Sequence, residues 1–346
     1  MCMRRAISYL IILIVIAAGL ILWKVFGPAV NNPKHKFLYI PSHATFAQLK
    51  DSLKKNELIS SFYVFDKLAG YAKLPENVKP GKYKVGNGMS IYRLVRNLRS
   101  GRQESVNLVI TKIRTKEDLA GKIGRYLEID SLRALEFLNN NDSLKKFKVD
   151  TNTVLTDVFP DTYTYFWTAS MNKVFEKFIR EKEKFWNDAR LKLASEHNLT
   201  PEQVYTLASI VEEETNKDND KGKIASVYIN RLKKGMPLAA DPTIKFAVKD
   251  FSIKRIYHNL LGVSSPFNTY RNPGLPPGPI CTPSIKTIDA VLNAPQTNFL
   301  YFVAKPDFSG YSNFSETYAE HLTNAKAYQK ALDSLEKMQQ QKSDIE

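Results

Sequence analysis

The segment Leu207-Ala-Ser-Ile-Val-Glu-Glu-Glu-Thr215 places three consecutive carboxylates at the end of a helix patterned to be buried. Charged residues at the margin of an apolar stripe are uncommon unless they are paired or used. A carboxyl group partly withdrawn from water keeps its proton to higher pH, and a carboxylic acid still protonated near neutrality is what glycosidic bond cleavage requires. Thr200 reads as an N-cap, Pro201 suits the first helical position and Gln203 completes a capping box. Val204, Leu207, Ala208 and Val211 then recur at i, i+3, i+4 and i+7 as one buried stripe. At roughly 100° per residue from Val204, Glu213 falls at about 180°, opposite the stripe and facing solvent, whereas Glu212 falls at about 80° and Glu214 at about 280°, one on each shoulder. The wheel keeps Glu212 and Glu214 as candidates for proton transfer and does not choose between them. A solvated acidic helix end is the alternative.

The elements that would position these acids follow in the chain. A second helix over 223–234 ends at Gly235, a natural C′ residue, and carries Asn230 and Arg231. Asp241 before Pro242 is set up for a turn, with its side chain available to cap or to bind. The prolines and glycines of residues 265–279 forbid a regular helix or central strand, while Phe267, Tyr270 and Leu275 give that loop something to pack with. Rigid polar loops of this kind suit cleft walls, and Asn268, Thr269 and Tyr270 could reach sugar hydroxyls. The aromatic run over 158–167 could stack on sugar rings, but clustered aromatics more often fill a core, the reading favoured here.

The surroundings are set by charge and hydropathy. A net charge of +15 on 346 residues points to an anionic partner or environment, and 43% hydrophobic residues is ordinary for a folded chain. No arginine-rich run, zinc spacing or nucleic-acid module accompanies the charge, which argues against nucleic acid. Arg4 and Arg5 precede an uncharged run from Ile7 to Trp23 that Lys24 closes; seventeen residues span about 25 Å, close to the hydrocarbon thickness of a bilayer. Lacking a convincing small-x-small cleavage site, the run reads as a single-pass signal anchor with the N-terminus in the cytoplasm and the rest of the chain on the outer face of the inner membrane. Cys2 and Cys281 would then lie on opposite sides and could not pair; they form neither a disulfide framework nor a metal constellation.

The expected fold class is α+β: a transmembrane helix, a small α/β subdomain and a mixed α/β catalytic domain. The expected divisions are a cytoplasmic N-terminus 1–6, an anchor 7–26, a Pro/Asn/Lys linker 27–36, the α/β unit 37–110, a helical connector 111–150, the catalytic domain 151–335 and a polar, frayed tail 336–346. Within 37–110 the pattern reads as strands at 37–40, 81–85 and 106–110 with helices at 45–54, 61–69 and 91–98. A spacer or a glycan-binding module would both carry such a pattern.

Read together, Ala208-Ser-Ile-Val-Glu-x-Glu214, Val227-Tyr-Ile-Asn-Arg-Leu232, Asp241-Pro-Thr243, Ser265-Pro-x-Asn-Thr-Tyr270, Gly274-Leu-Pro-Pro-Gly-Pro-Ile280 and Glu320-His, with Phe159-Pro-Asp-Thr-Tyr163 and the N-terminal anchor, resemble the endolytic murein transglycosylase (YceG-like) family from the membrane segment to about Leu332. The resemblance implies a membrane-anchored enzyme that cuts nascent peptidoglycan between N-acetylmuramic acid and N-acetylglucosamine and leaves a 1,6-anhydro ring. It implies a LysM-like subdomain at 37–110, no cofactor and no metal, and peptidoglycan synthases as partners. It also implies Glu212 as the catalytic acid, the first glutamate of the motif. Glu214, Asn230, Asp241, Thr243 and Glu320 are then expected to support the site, and Asn268 and Tyr270 to hold the glycan. The chain departs from the family pattern at Ala239-Ala240, at Thr156-Asp157-Val158 and after Glu320-His, which bears on polar contacts there. A hydrolytic muramidase and a non-catalytic wall-binding scaffold are the alternatives.

Overall fold

The structure, a computed structural model, describes residues 2–30, 36–59 and 61–343. It is an α+β chain that divides into two compact units. The first takes residues up to 108 together with 124–130 and 164–170, and the second takes the remainder, so residues 111–150, expected as a connector, are shared between the two.

The first unit begins with α1 (Cys2–Phe26), which is long and apolar enough to cross a membrane. The chain then runs β1 (Phe37–Ile40), α2 (Phe46–Lys55), α3 (Phe62–Tyr71), β2 (Gly81–Lys84) and α4 (Ile91–Ser100). The strands β1 and β2 pair antiparallel with Phe37 opposite Lys84 and Ile40 opposite Gly81. Alternation along β1 turns Leu38 and Ile40 inward, onto Leu49 and Leu53 of α2, Phe65 of α3 and Leu94 and Leu98 of α4. Thr45 and Gln48 close a capping box on α2, and Ser90 caps α4. The third expected strand, β3 (Ser105–Ile110), does not join this sheet; it pairs with β4 (Asp161–Phe166). The expected linker is also partly core, because Ala29 and Val30 are buried with the unit; residues 31–35 lie outside the described residues.

The remaining elements are α5 (Lys116–Tyr126), α6 (Ser131–Leu138), α7 (Asn141–Lys145), α8 (Met171–Phe185), α9 (Asp188–Glu196), α10 (Pro201–Glu214), α11 (Asp218–Lys233), α12 (Asp241–Ala247), α13 (His258–Leu261), α14 (Ile285–Leu292), β5 (Tyr301–Ala304), β6 (Ser312–Ser315) and α15 (Tyr318–Ser343). The strands β5 and β6 form an antiparallel hairpin with Phe302 opposite Phe314. The expected polar tail continues the last helix as far as Ser343, and residues 344–346 lie outside the described residues.

At the centre of the second unit is α10. Thr200 accepts the Gln203 N–H while the Gln203 side chain accepts the Thr200 N–H, and Pro201 occupies the first turn. Every residue from Val204 to Val211 is buried, rather than a single stripe, because α9, α11, α12 and α14 all pack against this helix. Phe159 sits among Phe185 and Tyr205, and the Tyr205 hydroxyl donates to the Val158 carbonyl at 2.5 Å, so this part of the aromatic run is core. Because Leu207 is fully enclosed by this packing, Leu207→Ala should lower the unfolding free energy by about 2–5 kcal/mol, read as a shift in the urea midpoint at unchanged slope.

Candidate active site

The three glutamates leave a helix that is dry on every side, and each meets a different environment. Glu212 Oε2 accepts from the Ser284 hydroxyl at 3.0 Å and from the Thr287 hydroxyl, at the start of α14. The ammonium of Lys221, itself nearly buried on α11, lies 3.5 Å from the same oxygen and 3.2 Å from Asp218. The Oε2 atom is thus engaged three ways within the protein.

Glu213 is not in solvent, contrary to the helical wheel. Its two oxygens accept from Arg114 Nε and Nη2 at 3.0 Å each, and Lys112 Nζ lies 3.0 Å away. Burial alone would raise this carboxyl, but the guanidinium and the ammonium outweigh it and hold the group below its ordinary range. The wheel placed Glu213 correctly opposite Val204; what it could not contain is the 109–123 segment, which covers that side of α10 with two cations.

Glu214 has the opposite balance. Burial pushes its carboxyl up to about 7. The Tyr228 hydroxyl, from the buried face of α11, donates to Oε1 at 2.6 Å and opposes the shift; the negative charge of Asp241 adds to it, and Lys245 and Arg231 oppose it weakly. Asp241, at the start of α12, is exposed, and its Oδ1 accepts from the Tyr270 hydroxyl at 2.5 Å. Burial and this contact push the Tyr270 phenol above its ordinary range. The residues brought together are therefore Glu214, Tyr228, Asp241, Tyr270, Arg231 and Lys245.

The other expected site residues mostly hold the fold around this cluster. Asn268, expected at the glycan, is fully buried; its amide donates to the Leu261 and Val263 carbonyls at 2.9 Å each and its oxygen accepts the Tyr270 N–H. Thr243 is likewise buried, its hydroxyl bonded to the Ala240 carbonyl and to Thr269. Asn230 donates to the Thr297 and Phe299 carbonyls and fixes the approach to β5. Glu320 accepts the N–H groups of Glu316 and Thr317 at the start of α15. Asn268 and Thr243 have no free polar group to offer a sugar, and they position the loop that presents Tyr270. Ser209 does the same for the proline-rich segment, accepting the Ile280 N–H at 3.0 Å while the Cys281 thiol donates to its carbonyl.

Sequence reasoning missed Tyr228, Ser284, Thr287 and Lys221. Tyr228 lies inside a quoted motif, flanked by the buried apolar residues Val227 and Ile229 of α11. Ser284 has the signature of an N-cap and serves as one, accepting the Thr287 N–H. Among the described residues no group of three or more His, Cys, Asp or Glu side chains is placed to hold a metal.

The three adjacent carboxyls thus differ in kind: Glu212 is held through one oxygen, Glu213 through both by two cations, and Glu214 by burial and one phenol. The sequence profile of the YceG-like family matches residues 38–327, and the chain belongs to that family. It is 28% identical over 298 residues to a Bacillus subtilis (strain 168) protein named endolytic murein transglycosylase, covering 82% of this chain and 81% of that one. A protein of the same name from Streptococcus pneumoniae D39 is 27% identical over 86% of this chain, which spans 60% of its length. The crystal structure of a YceG-like protein from Listeria monocytogenes superposes with a TM-score of 0.55 at 26% identity, covering 83% of this chain and 97% of that one.

Because Glu213 is a tie between α10 and the 109–123 segment, Glu213→Gln should destabilise the protein by about 1–2 kcal/mol in thermal or urea unfolding. It should leave the chemistry of bound glycan largely intact below the new melting point.

Proposed function

We propose that this chain is an endolytic peptidoglycan lytic transglycosylase in which Glu212 transfers the proton. The observation that carries the assignment is the placement of Glu212, the first glutamate of the Ile-Val-Glu-x-Glu motif, at the end of α10 with one carboxyl oxygen held by Ser284, Thr287 and Lys221. Glu213 has both oxygens taken up by Arg114 and Lys112, and Glu214, pushed up to about 7 by burial, accepts from the Tyr228 hydroxyl and supports the site.

The reaction asks one group to be acid and then base. Glu212, as the acid, donates to the glycosidic oxygen as the bond to C1 of N-acetylmuramic acid breaks, and N-acetylglucosamine leaves with a free hydroxyl. The C6 hydroxyl of the same muramic acid attacks C1, and its proton passes to the Glu212 carboxylate, closing the 1,6-anhydro ring. No water is consumed, and the tethered nucleophile has a high effective molarity. A carboxyl paired through both oxygens, like Glu213, would be a poor donor. Asp241, fixed by Tyr270, is placed in this reading to stabilise positive charge developing at C1, and Tyr270 itself to contact the glycan.

The unit at 37–110 is taken as LysM-like, with the strand–helix–helix–strand order of β1, α2, α3 and β2 in its favour, and α1 as a single-pass anchor of the inner membrane. The N-terminus is then cytoplasmic and the catalytic unit extracytoplasmic, where synthases deliver nascent strands. The negative charge of Asp241 near Glu214 also gives a two-carboxylate hydrolase a physical basis, since hydrolysis uses a second acid to activate water or attack. Mass spectrometry of digested glycan separates the readings: anhydro ends mark the lyase, reducing ends the hydrolase, and binding without cleavage a scaffold.

Glu212→Gln, compared at equal folded fraction, should lower the rate of anhydro-end formation by at least about 100-fold, while Glu214→Gln retains most of it. Loss confined to Glu214→Gln would move the proton to Glu214. Burial raises the Glu214 carboxyl to about 7 in the folded chain, so the stability it contributes is present below the ordinary carboxyl range and is lost as pH rises through about 7; Glu214→Gln should flatten that fall in thermal unfolding. The Tyr228 hydrogen bond opposes the shift, so Tyr228→Phe should deepen the fall. A stability profile identical to the parent protein's would remove Tyr228 from the account.

A further inference from the structure

The apolar helix and the first unit meet with almost no spacer. The Gly27 N–H still donates to the Trp23 carbonyl at 2.8 Å, and by Ala29 and Val30 the chain is buried. The Ala29 and Val30 N–H groups both donate to the Met89 carbonyl at 3.1 Å, and the Gly88 N–H returns to the Val30 carbonyl at 2.8 Å. The Phe26 ring lies 5.0 Å from the Tyr92 ring at the start of α4. With α1 across a bilayer, as proposed above, Trp23 and Lys24 lie at headgroup level, and α4 begins one ring contact from them.

That part of α4 is cationic. Tyr92, Arg96 and Arg99 follow at i, i+4 and i+7 along one stripe, beside a cavity of about 510 Å³ that Tyr71 and Lys79 also line. No acidic residue lines it. Arg99 is steadied by its Nε donating to the Ala72 carbonyl at 2.7 Å and Lys79 by the Ser100 carbonyl at 3.4 Å; Arg96 has no hydrogen bond or ion pair among the described residues. Tyr71 is 87% exposed at the rim. Three cations flanked by two tyrosines match a membrane interface, where phosphates meet the first apolar carbons.

We propose that this face of the first unit docks on the bilayer surface, with the cavity taking the phosphate-bearing headgroup of an anionic phospholipid. The inference rests on α1 being a membrane anchor, and it adds a second, electrostatic attachment beside the apolar one. Docking through both would remove the small turn that Gly27 and Pro28 still leave and hold the unit against the bilayer.

The test uses the full chain in nanodiscs, with Cys2→Ser and Tyr71→Cys labelled by an environment-sensitive dye; Cys281 is buried. In discs containing phosphatidylglycerol the dye should shift to the blue and be quenched by headgroup nitroxides. In pure phosphatidylcholine it should report water. Each cavity charge removed should lower the docked-to-undocked ratio about fivefold, so Lys79→Glu with Arg96→Glu should abolish the signal. Arg93→Glu, on α4 but not lining the cavity, should leave most of it. Equal signals in the two lipids, or equal loss with Arg93→Glu, would overturn the proposal. So would a shift produced by inorganic phosphate with phosphatidylcholine discs, which would assign the cavity to a soluble anion. A chain that fails to float with phosphatidylcholine vesicles refutes the anchor and this proposal with it; one that floats with an unshifted dye refutes this proposal alone.

Discussion

The second unit is organised around one electrostatic constraint: three adjacent carboxylates emerge from a helix that is buried on all sides. Successive residues point about 100° apart, so no single partner can serve all three, and a carboxylate leaving a dry helix without compensation costs several kcal/mol. Three different segments therefore come to the end of α10. Ser284, Thr287 and Lys221 reach Glu212, Lys112 and Arg114 reach Glu213, and Tyr228 reaches Glu214. Two of these environments supply full positive charge. The third supplies a phenol, and that shortfall keeps a proton on Glu214 near neutrality.

The shortfall is graded. Without Tyr228 and the more distant Arg231 and Lys245, burial and Asp241 would drive Glu214 higher still. With a guanidinium in place of the phenol it would resemble Glu213, held below its ordinary range. A buried tyrosine on α11 is an intermediate solution: a neutral donor that stabilises the carboxylate without fixing it. Tyr228 can be both a core residue and a regulator of the proton because its ring packs near Phe302 while its hydroxyl faces the acid.

What the sequence made legible was local. The capping box, the proline at the first turn and the apolar spacing of α10 are all contained within a dozen residues, and the helix follows from them. So does the separation of Glu212 from Glu214 onto different sides. What was not legible was long-range: Glu213 is paired with a residue 99 positions earlier, and a helical wheel assumes one covered face. The bracing role of the asparagines in the proline-rich loop was not legible for a different reason. A loop without regular structure must satisfy its backbone carbonyls with side chains, so Asn268 and Asn272 act as internal splints, spanning Leu261, Val263 and Ser265. An asparagine that binds sugar and one that braces a loop have the same composition around them; only burial distinguishes them.

A segment of Gly, Pro, Asn and Lys suggests a tether, and a tethered unit would sample many orientations. Two of its residues are core instead, held to Met89 by paired N–H groups, and the conformational freedom that a linker would keep is lost where the helix ends. Freezing that junction costs free energy, offset by the burial of Ala29 and Val30, and it fixes which face of α4 follows the helix. A rigid junction gives an orientation that a charged surface can exploit. The arginines of α4 gain a defined place to act only because the two residues between Phe26 and Ala29 leave the first unit so little room to turn.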